Sequence, residues 1–254
     1  MTDSLGWRRL FAVIAPSTNT SVQPEFDDMR PSGVTNHFSR IWIPDAPIAS
    51  DDDFNKLMEN IRLELDNAVE RVMTCHPDYL IMGMSSETFW GGLETSNRLR
   101  ARMEEISGLK VAMGSDACQA AIRCYGPIKR IAVLTPYWPV GDENVLKFFA
   151  DCGFEVVRLK GLKCESPALI AHVQEDELRA ALIELNGNDV EAIIQVGTNL
   201  AMARLAGEAE KWLKKPVLAI NTAIYWYALR VNGIGDQVPG FGSLLIDYGE
   251  LPSF

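Results

Sequence analysis

Short apolar runs alternate with amphipathic stretches along nearly the whole chain. The runs at 10–14 and 79–82 are too short for helices and lack polar alternation, which is typical of strands buried on both faces. Between them, residues 51–75 open with three aspartates and then carry apolar residues three or four positions apart, as an amphipathic helix does. Because helices separate the strands, the pattern predicts an α/β fold with a mainly parallel sheet.

The order of elements repeats in the second half of the chain. Segment 130–136 (RIAVLTP) mirrors 10–16 (LFAVIAP), and AIIQVGTNL at 192–200 repeats the strand, small residue and hydroxyl of YLIMGMSSET at 79–88. Each half is predicted to hold four strands with interleaved helices. The repeat predicts two pseudo-symmetric α/β domains, residues 1–126 and 127–254, with the C-terminal tail as a candidate to complete the first.

Hydrophobic spacing, glycines and prolines set the predicted bounds. The predicted strands are 10–14, 34–43, 79–82, 109–113, 130–136, 154–159, 192–196 and 216–220. The predicted helices with assigned bounds are 51–75, 92–106, 115–125, 175–185, 201–213 and 222–231, and further helices with an acidic first turn are expected after the loops that follow 16 and 136.

Composition narrows the classes of protein and partner. The chain has 254 residues, 47% of them hydrophobic, which is enough for one large or two modest domains. A net charge of −10 argues against nucleic acid or an anionic membrane as a partner, since both attract clustered Lys and Arg. No run of about 18 apolar residues and no cleavable leader pattern is visible, so a cytoplasmic protein is expected.

Cysteine and histidine usage gives no metal or disulfide signature. The five cysteines are scattered without a CxxC pair, and the three histidines are equally dispersed. We therefore expect free thiols and no metal.

Polar residues cluster where predicted strands end. Ligands of α/β sheets bind beyond the carboxyl ends of the strands, so facing halves would bring Ser85 and Ser86 opposite Thr198 and Asn199. The loops that follow the first strand of each half would reach the same cleft and would contribute Asn19 and Tyr137. Hydroxyls and helix N-termini bind carboxylates, which predicts a small carboxylate as the ligand.

Four segments together resemble one enzyme group over essentially the whole chain. PSTNTSVQPEFD, MGMSSETFWGG, LTPYWPVGDENVLKFFADCGFEV and GTNLAMARLAGEAEKWLKKPVLAINTA are similar to the maleate cis-trans isomerase and arylmalonate decarboxylase branch of the aspartate/glutamate racemase superfamily. The resemblance implies two Rossmann-like domains with a cofactor-free site between them and an enediolate-like intermediate. A homo-oligomer is expected separately, because the aromatic residues 225–227 and the C-terminal tail are candidates to contact a neighbouring subunit. Racemases and isomerases of this group use two cysteines, one from each half, and the decarboxylase keeps only the second.

Matched residue by residue, the resemblance supports binding but departs at the thiols. The residues at substrate-binding positions are Asn19, Ser85, Ser86, Tyr137, Gly197, Thr198 and Asn199. The two cysteine positions hold Met84 and Gly197. Thiol-dependent racemisation or isomerisation is therefore disfavoured, and the resemblance implies an isomerase or lyase with other acid and base groups.

Several groups are candidates to replace the thiols. Glu87, if partly buried, would have a pKa suited to an acid or base, although a helix first-turn carboxylate facing water fits the sequence equally well. Tyr137 is expected to donate a hydrogen bond, or a proton. Ser85 as a nucleophile lacks a histidine placed by the sequence, and Cys118 fits a packing role better than a thiolate.

Two other functions stay open at this stage. The first is hydrolysis of a small amide, lactam or ester by Ser85 or by a water that Glu87 activates. The second is non-catalytic binding of a small carboxylate. Trp90 is a candidate to line the pocket.

Overall fold

The structure is a computed structural model that describes residues 3–252. Short apolar runs form the strands, as predicted, and most of the strand residues outside the edge strand β6 are buried. The strands are β1 (Arg9–Pro16), β2 (Val34–Ile41), β3 (Tyr79–Met82), β4 (Val111–Ala112), β5 (Arg130–Thr135), β6 (Glu155–Gly161), β7 (Ala192–Gln195) and β8 (Val217–Ala219).

Helices occupy the amphipathic stretches between the strands. They are α1 (Val22–Met29), α2 (Asp51–Met73), α3 (Ser86–Phe89), α4 (Leu93–Ser107), α5 (Gly114–Cys124), α6 (Pro139–Asp151), α7 (Glu175–Leu185), α8 (Ala203–Leu213), α9 (Ile220–Val231) and α10 (Leu244–Asp247), with a 3-10 turn at Leu169–His172. The long helix predicted at 51–75 begins where its three aspartates begin, and the Ser50 hydroxyl caps it by accepting from the Asp53 N–H.

Two four-stranded parallel sheets have the same strand order. The first is β2-β1-β3-β4 and the second is β6-β5-β7-β8, so each strand of one half has a counterpart in the other. Ile14 pairs with Met82 and Leu134 with Gln195, which brings the carboxyl ends of the two central strands of each sheet side by side. The predicted fold class and internal repeat are confirmed.

Differences from the predicted elements lie in short or polar segments. Helices α3 and α10 had no predicted bounds, because four residues of mixed polarity carry little periodic signal. Helix α1 is the helix predicted after the loop that follows residue 16, and Glu25 is the acidic residue of its first turn. Helix α9 begins at Ile220 rather than 222, directly after β8.

The C-terminal segment returns to the first half of the chain. On α9, the Tyr225 ring lies 4.9 Å from Phe26, and its hydroxyl donates to Asn36 Oδ1 at 3.0 Å. Arg8 forms an ion pair of 2.6 Å with Asp236. A domain boundary at 126–127 would fall between β4 and β5 and stays a prediction, as does a homo-oligomer.

Among residues 3–252, no helix combines the length and the apolar character that a membrane span requires.

Candidate active site

A small cleft lies at the carboxyl ends of the central strands, between the two sheets. Its volume is about 50 Å³, and all the predicted substrate-binding residues line it. The full lining is Pro16, Thr18, Asn19, Ile43, Phe54, Leu57, Ile61, Met84, Ser85, Ser86, Pro136, Tyr137, Pro167, Ile170, Gly197, Thr198 and Asn199.

Ser85 and Tyr137 form a hydroxyl pair that spans the two halves. Ser85 Oγ and the Tyr137 hydroxyl lie 2.8 Å apart, and Ser85 Oγ also accepts from the Thr198 N–H at 3.1 Å. The pair carries two hydroxyl protons, and the bond between the two oxygens uses one of them. Whichever oxygen donates, one hydroxyl proton has no acceptor within the described chain, so it is available to a ligand in the cleft.

Asn19 and Asn199 hold the surrounding loops. Asn19 Nδ2 donates to Thr198 Oγ1 at 3.0 Å, while its Oδ1 accepts from the Ser21 and Val22 N–H groups at the start of α1. Asn199 Nδ2 donates to two carbonyl oxygens, and its Oδ1 accepts from the Thr20 and Ser21 N–H groups. The Asn199 amide is thus fully bonded within the protein, and its predicted role as a ligand donor stays a prediction.

Free donors cluster at the end of β3. Ser86 is half-buried, and its hydroxyl bonds to no other group among the described residues. The backbone N–H groups of Met84, Ser85 and Ser86 also donate to no acceptor between residues 3 and 252. These groups and the spare hydroxyl proton offer a ligand oxygen several neutral donors.

Apolar side chains form the opposite wall of the cleft. Phe54, Leu57 and Ile61 project from one face of α2, and the Phe54 ring lies 5.5 Å from the Tyr137 ring. The sequence marked these residues only as the apolar face of a helix, and nothing in their spacing separates a pocket wall from ordinary core. No charged side chain is among the described lining residues.

Glu87 lies outside the residues that line the cleft. Its Oε1 accepts from Arg62 Nε at 2.8 Å, and its Oε2 is buried without a hydrogen-bond partner in the described chain. Burial raises the pKa of Glu87, and the bond to Arg62 opposes that rise. The Arg62 guanidinium in turn lies 5.3 Å from the centre of the Trp90 ring. A catalytic role for Glu87 stays a prediction.

Trp90, which was predicted to line the pocket, lies behind the apolar wall of the cleft instead. It is absent from the lining and stacks on Phe54, with the ring centres 6.2 Å apart.

Met84 and Gly197, the two positions that the sequence resemblance matches to family cysteines, both line the cleft. Met84 is buried, and Gly197 has a φ of +113°, a conformation that L side chains rarely adopt. A Cβ added at Gly197 would come within 2.5 Å of Pro136 Cδ. The carbonyl oxygen of Gly197 accepts from Gln195 Nε2 at 2.8 Å and from the Leu200 N–H at 3.0 Å. The loop is therefore fixed in a shape that leaves no room for a side chain.

Titratable groups near the cleft favour their neutral forms. Burial raises the pKa of the Tyr137 hydroxyl above its ordinary range. Cys118 is fully buried, and desolvation raises its pKa to about 12, so its thiol stays protonated, as a packing residue would. No histidine lines the cleft. Among the described residues, no group of three or more His, Cys, Asp or Glu side chains is placed to hold a metal ion.

Comparisons with known proteins agree with this architecture. A family model described as arylmalonate decarboxylase matches residues 51–245. A maleate isomerase of Pseudomonas putida strain KT2440 is 24% identical over 246 residues, which cover 91% of this chain and 95% of that protein.

Solved structures of the same two enzymes share the fold. A Nocardia farcinica maleate cis-trans isomerase mutant with a covalently bound succinylcysteine intermediate has a TM-score of 0.85 at 20% identity, covering 94% of this chain and 99% of that one. Unliganded arylmalonate decarboxylase has a TM-score of 0.74 at 20% identity, covering 93% and 97%. The chain therefore belongs to the arylmalonate decarboxylase family and is an enzyme of the isomerase and lyase type that its relatives represent.

Proposed function

We propose that this protein is a cofactor-independent isomerase or lyase that acts on a small carboxylate through an enediolate-like anion, with hydroxyl groups in place of thiols. The observation that carries the proposal is the Ser85–Tyr137 pair. It joins the two halves in the cleft at the carboxyl ends of the central strands, and it has one proton to give.

Binding of the acid would use neutral donors. The Ser86 hydroxyl, the N–H groups at the end of β3 and the spare hydroxyl proton can each donate to a carboxylate oxygen. Preorganised donors of this kind stabilise charge without a cation when water is excluded. The apolar wall of Phe54, Leu57 and Ile61 suits a carboxylate that carries an apolar substituent.

Proton transfer would follow from the same pair. In a decarboxylation, the C–C bond breaks, CO2 leaves, and the bonding electrons pass onto the retained carboxylate as an enediolate. The α-carbon then takes the spare proton of the Ser85–Tyr137 pair, which leaves an oxyanion on the pair, and a new proton from solvent neutralises that oxyanion. Since burial raises the pKa of Tyr137, the pair holds its proton at neutral pH until the strongly basic carbanion forms.

The alternative functions have less support. A serine hydrolase needs a base next to its nucleophile. Among residues 3–252, the Ser85 hydroxyl has only Tyr137 and a backbone N–H within hydrogen-bond distance. A non-catalytic binder would use the same donors, so only turnover separates it from an enzyme.

Exchange of α-protons provides a test that does not depend on the natural substrate. Proton NMR in D2O would follow deuterium uptake at the α-carbon of small aryl- and alkyl-acetates, together with CO2 release from substituted malonates and conversion of maleate. We expect protein-dependent exchange or turnover with at least one acid. Binding of acids without any exchange or turnover would refute the proposed chemistry and support the non-catalytic binder.

A matched pair of variants assigns the chemistry to the cleft. Tyr137→Phe is expected to lower the rate by roughly a hundredfold, the size of a general-acid contribution. Tyr125→Phe removes a half-buried hydroxyl, which bonds to Ser243 and Glu210 away from the cleft, and should leave the rate unchanged.

A further inference from the structure

A buried chain of hydrogen bonds lies behind Tyr137 on the side away from the cleft. The Tyr137 N–H donates to Thr135 Oγ1 at 3.1 Å, and the Thr135 hydroxyl donates to Asp142 Oδ1 at 2.5 Å. Thr135 is completely buried, and Asp142 is 9% exposed. Burying a carboxylate and a hydroxyl costs free energy unless they bond to one another. Their position behind Tyr137 favours a role in holding that residue.

The internal repeat shows that the fold itself does not need this chain. Ala15 occupies the position of Thr135 at the end of the first strand of the other half. Asp142 is the fourth residue of α6, and the fourth residue of α1 is Glu25, which accepts from Asn221 Nδ2 and the Ala203 N–H. Ala15 is fully buried and has no hydroxyl, so no side-chain bond joins the strand end to the helix carboxyl in the half where no tyrosine follows the strand.

The surrounding backbone makes room for the carboxylate. A Cβ added at Gly161 would lie 2.1 Å from Asp142 Oδ2, so any side chain there would displace it. The residues that follow Gly161 hold the same segment from the other side, because the Lys163 N–H donates to the Tyr137 carbonyl at 3.2 Å. Both backbone polar groups of Tyr137 are thereby tied.

We propose that Thr135 and Asp142 are positioning residues, which act through the backbone of Tyr137 to keep its hydroxyl on Ser85. The inference deepens the proposed function and rests on it where activity is the readout. The position of the Tyr137 ring tests it independently of any turnover.

Charge at Asp142 gives the arrangement a pH dependence. Desolvation raises the pKa of Asp142 to about 7, against the bond from Thr135 and the nearby charge of Lys163, while Asp51 on α2 and Glu143 on α6 add to the rise. An ionised acceptor holds a hydroxyl more strongly than a neutral one. The hydrogen bond from Thr135 to Asp142 is therefore strong above about pH 7 and weakens below it.

The test uses isosteric changes and two readouts. Thr135→Val removes the hydroxyl and keeps the shape, Thr135→Ser restores the hydroxyl, and Asp142→Asn keeps an acceptor without the charge. Thr222→Val is the control, since Thr222 is a buried threonine whose hydroxyl has no partner in the described chain. Crystal structures would give the distance between Ser85 Oγ and the Tyr137 hydroxyl, and kinetics would give kcat and KM across pH.

The expected results separate positioning from mere stability. In Thr135→Val the two oxygens should part beyond hydrogen-bond reach, about 3.5 Å. The value of kcat should fall tenfold to a hundredfold, as misplacement near the chemistry does, with little change in KM. Thr135→Ser and Thr222→Val should behave as wild type, and Asp142→Asn should lose the decline of kcat below pH 7.

Two outcomes would overturn the inference. One is a Tyr137 hydroxyl that stays on Ser85 in Thr135→Val. The other is an equal loss of kcat in Thr222→Val. If the wild type shows no turnover with any acid, the proposed function fails, whereas the structural arm still decides whether Thr135 places Tyr137.

Discussion

A side chain at Gly197 should destabilise the protein by an amount that can be worked out from two separate causes. The first is backbone strain: a φ of +113° lies where residues with a Cβ cost on the order of 1–3 kcal/mol. The second is overlap, because the new Cβ would lie 2.5 Å from Pro136 Cδ. Overpacking of a tight site costs roughly 1–3 kcal/mol, so Gly197→Ala should lose about 2–6 kcal/mol of unfolding free energy.

The chain offers a control that isolates the overlap. Gly126 also has a positive φ, of +91°, but an added Cβ there meets nothing within 4 Å. Gly126→Ala should therefore show the strain alone. A loss of 1 kcal/mol lowers Tm by about 2–4 °C in a domain of this size, so Gly197→Ala should melt several degrees below Gly126→Ala in a scanning calorimeter.

A double-mutant cycle with Pro136→Ala assigns the difference to a contact. Residues that overlap are not additive, so Gly197→Ala should cost less once the proline ring is gone. If Gly197→Ala melts no lower than Gly126→Ala, the steric argument is wrong. The same reasoning predicts that Gly197→Cys does not supply a usable thiol, since its Cβ meets the same ring.

Three further predictions concern ionisable groups. If Glu87 moves a proton, Glu87→Gln should lower turnover by about a hundredfold. Near-normal turnover would show that the Glu87 carboxyl serves only as the ion-pair partner of Arg62. Iodoacetamide should leave turnover unchanged, because burial keeps the Cys118 thiol neutral; inactivation that Cys118→Ala abolishes would contradict this. Desolvation raises the pKa of Glu25 to about 7 against its bond from Asn221, so the folded state binds this proton more tightly than the unfolded state does. Its contribution to stability is thus full below about pH 4.5 and lost as the pH rises through about 7. Relative to wild type, Glu25→Gln should gain Tm between pH 5 and 8, and parallel Tm curves for the two proteins would refute the assignment.

The sequence predicted those site residues whose positions follow from the order and direction of the strands alone. Ser85, Tyr137 and Thr198 follow apolar strands, and parallel strands deliver their ends to one edge, so their convergence could be expected before any coordinates. The repeat of elements in the two halves could also be predicted, because apolar runs and their spacing can be read directly from short stretches of the sequence.

The sequence could not predict which side chains bond to one another. Arg62 is 25 residues before Glu87 and on another helix, and no local pattern links the two. Asn199 carried the residue type of a ligand donor, yet its bonds to the loops around it use its whole amide. Thr135 and Asp142 looked like an ordinary strand end and an acidic helix turn. In each case the deciding quantity is which distant group meets the side chain, and hydrophobic periodicity does not encode it.

Hydrogen bonds between the two halves close the cleft. Ser85 with Tyr137, and Asn19 with Thr198, join polar groups of opposite halves. A volume of about 50 Å³ holds only a few waters, so an acid larger than this volume must part some of these contacts as it enters. The ligand must then supply the hydrogen bonds that it displaces. An acid with two well-placed oxygens can bridge the halves again, whereas a neutral apolar molecule of the same size would leave them open. Selection for carboxylates then arises from closure itself, even though none of the described lining residues carries a positive charge.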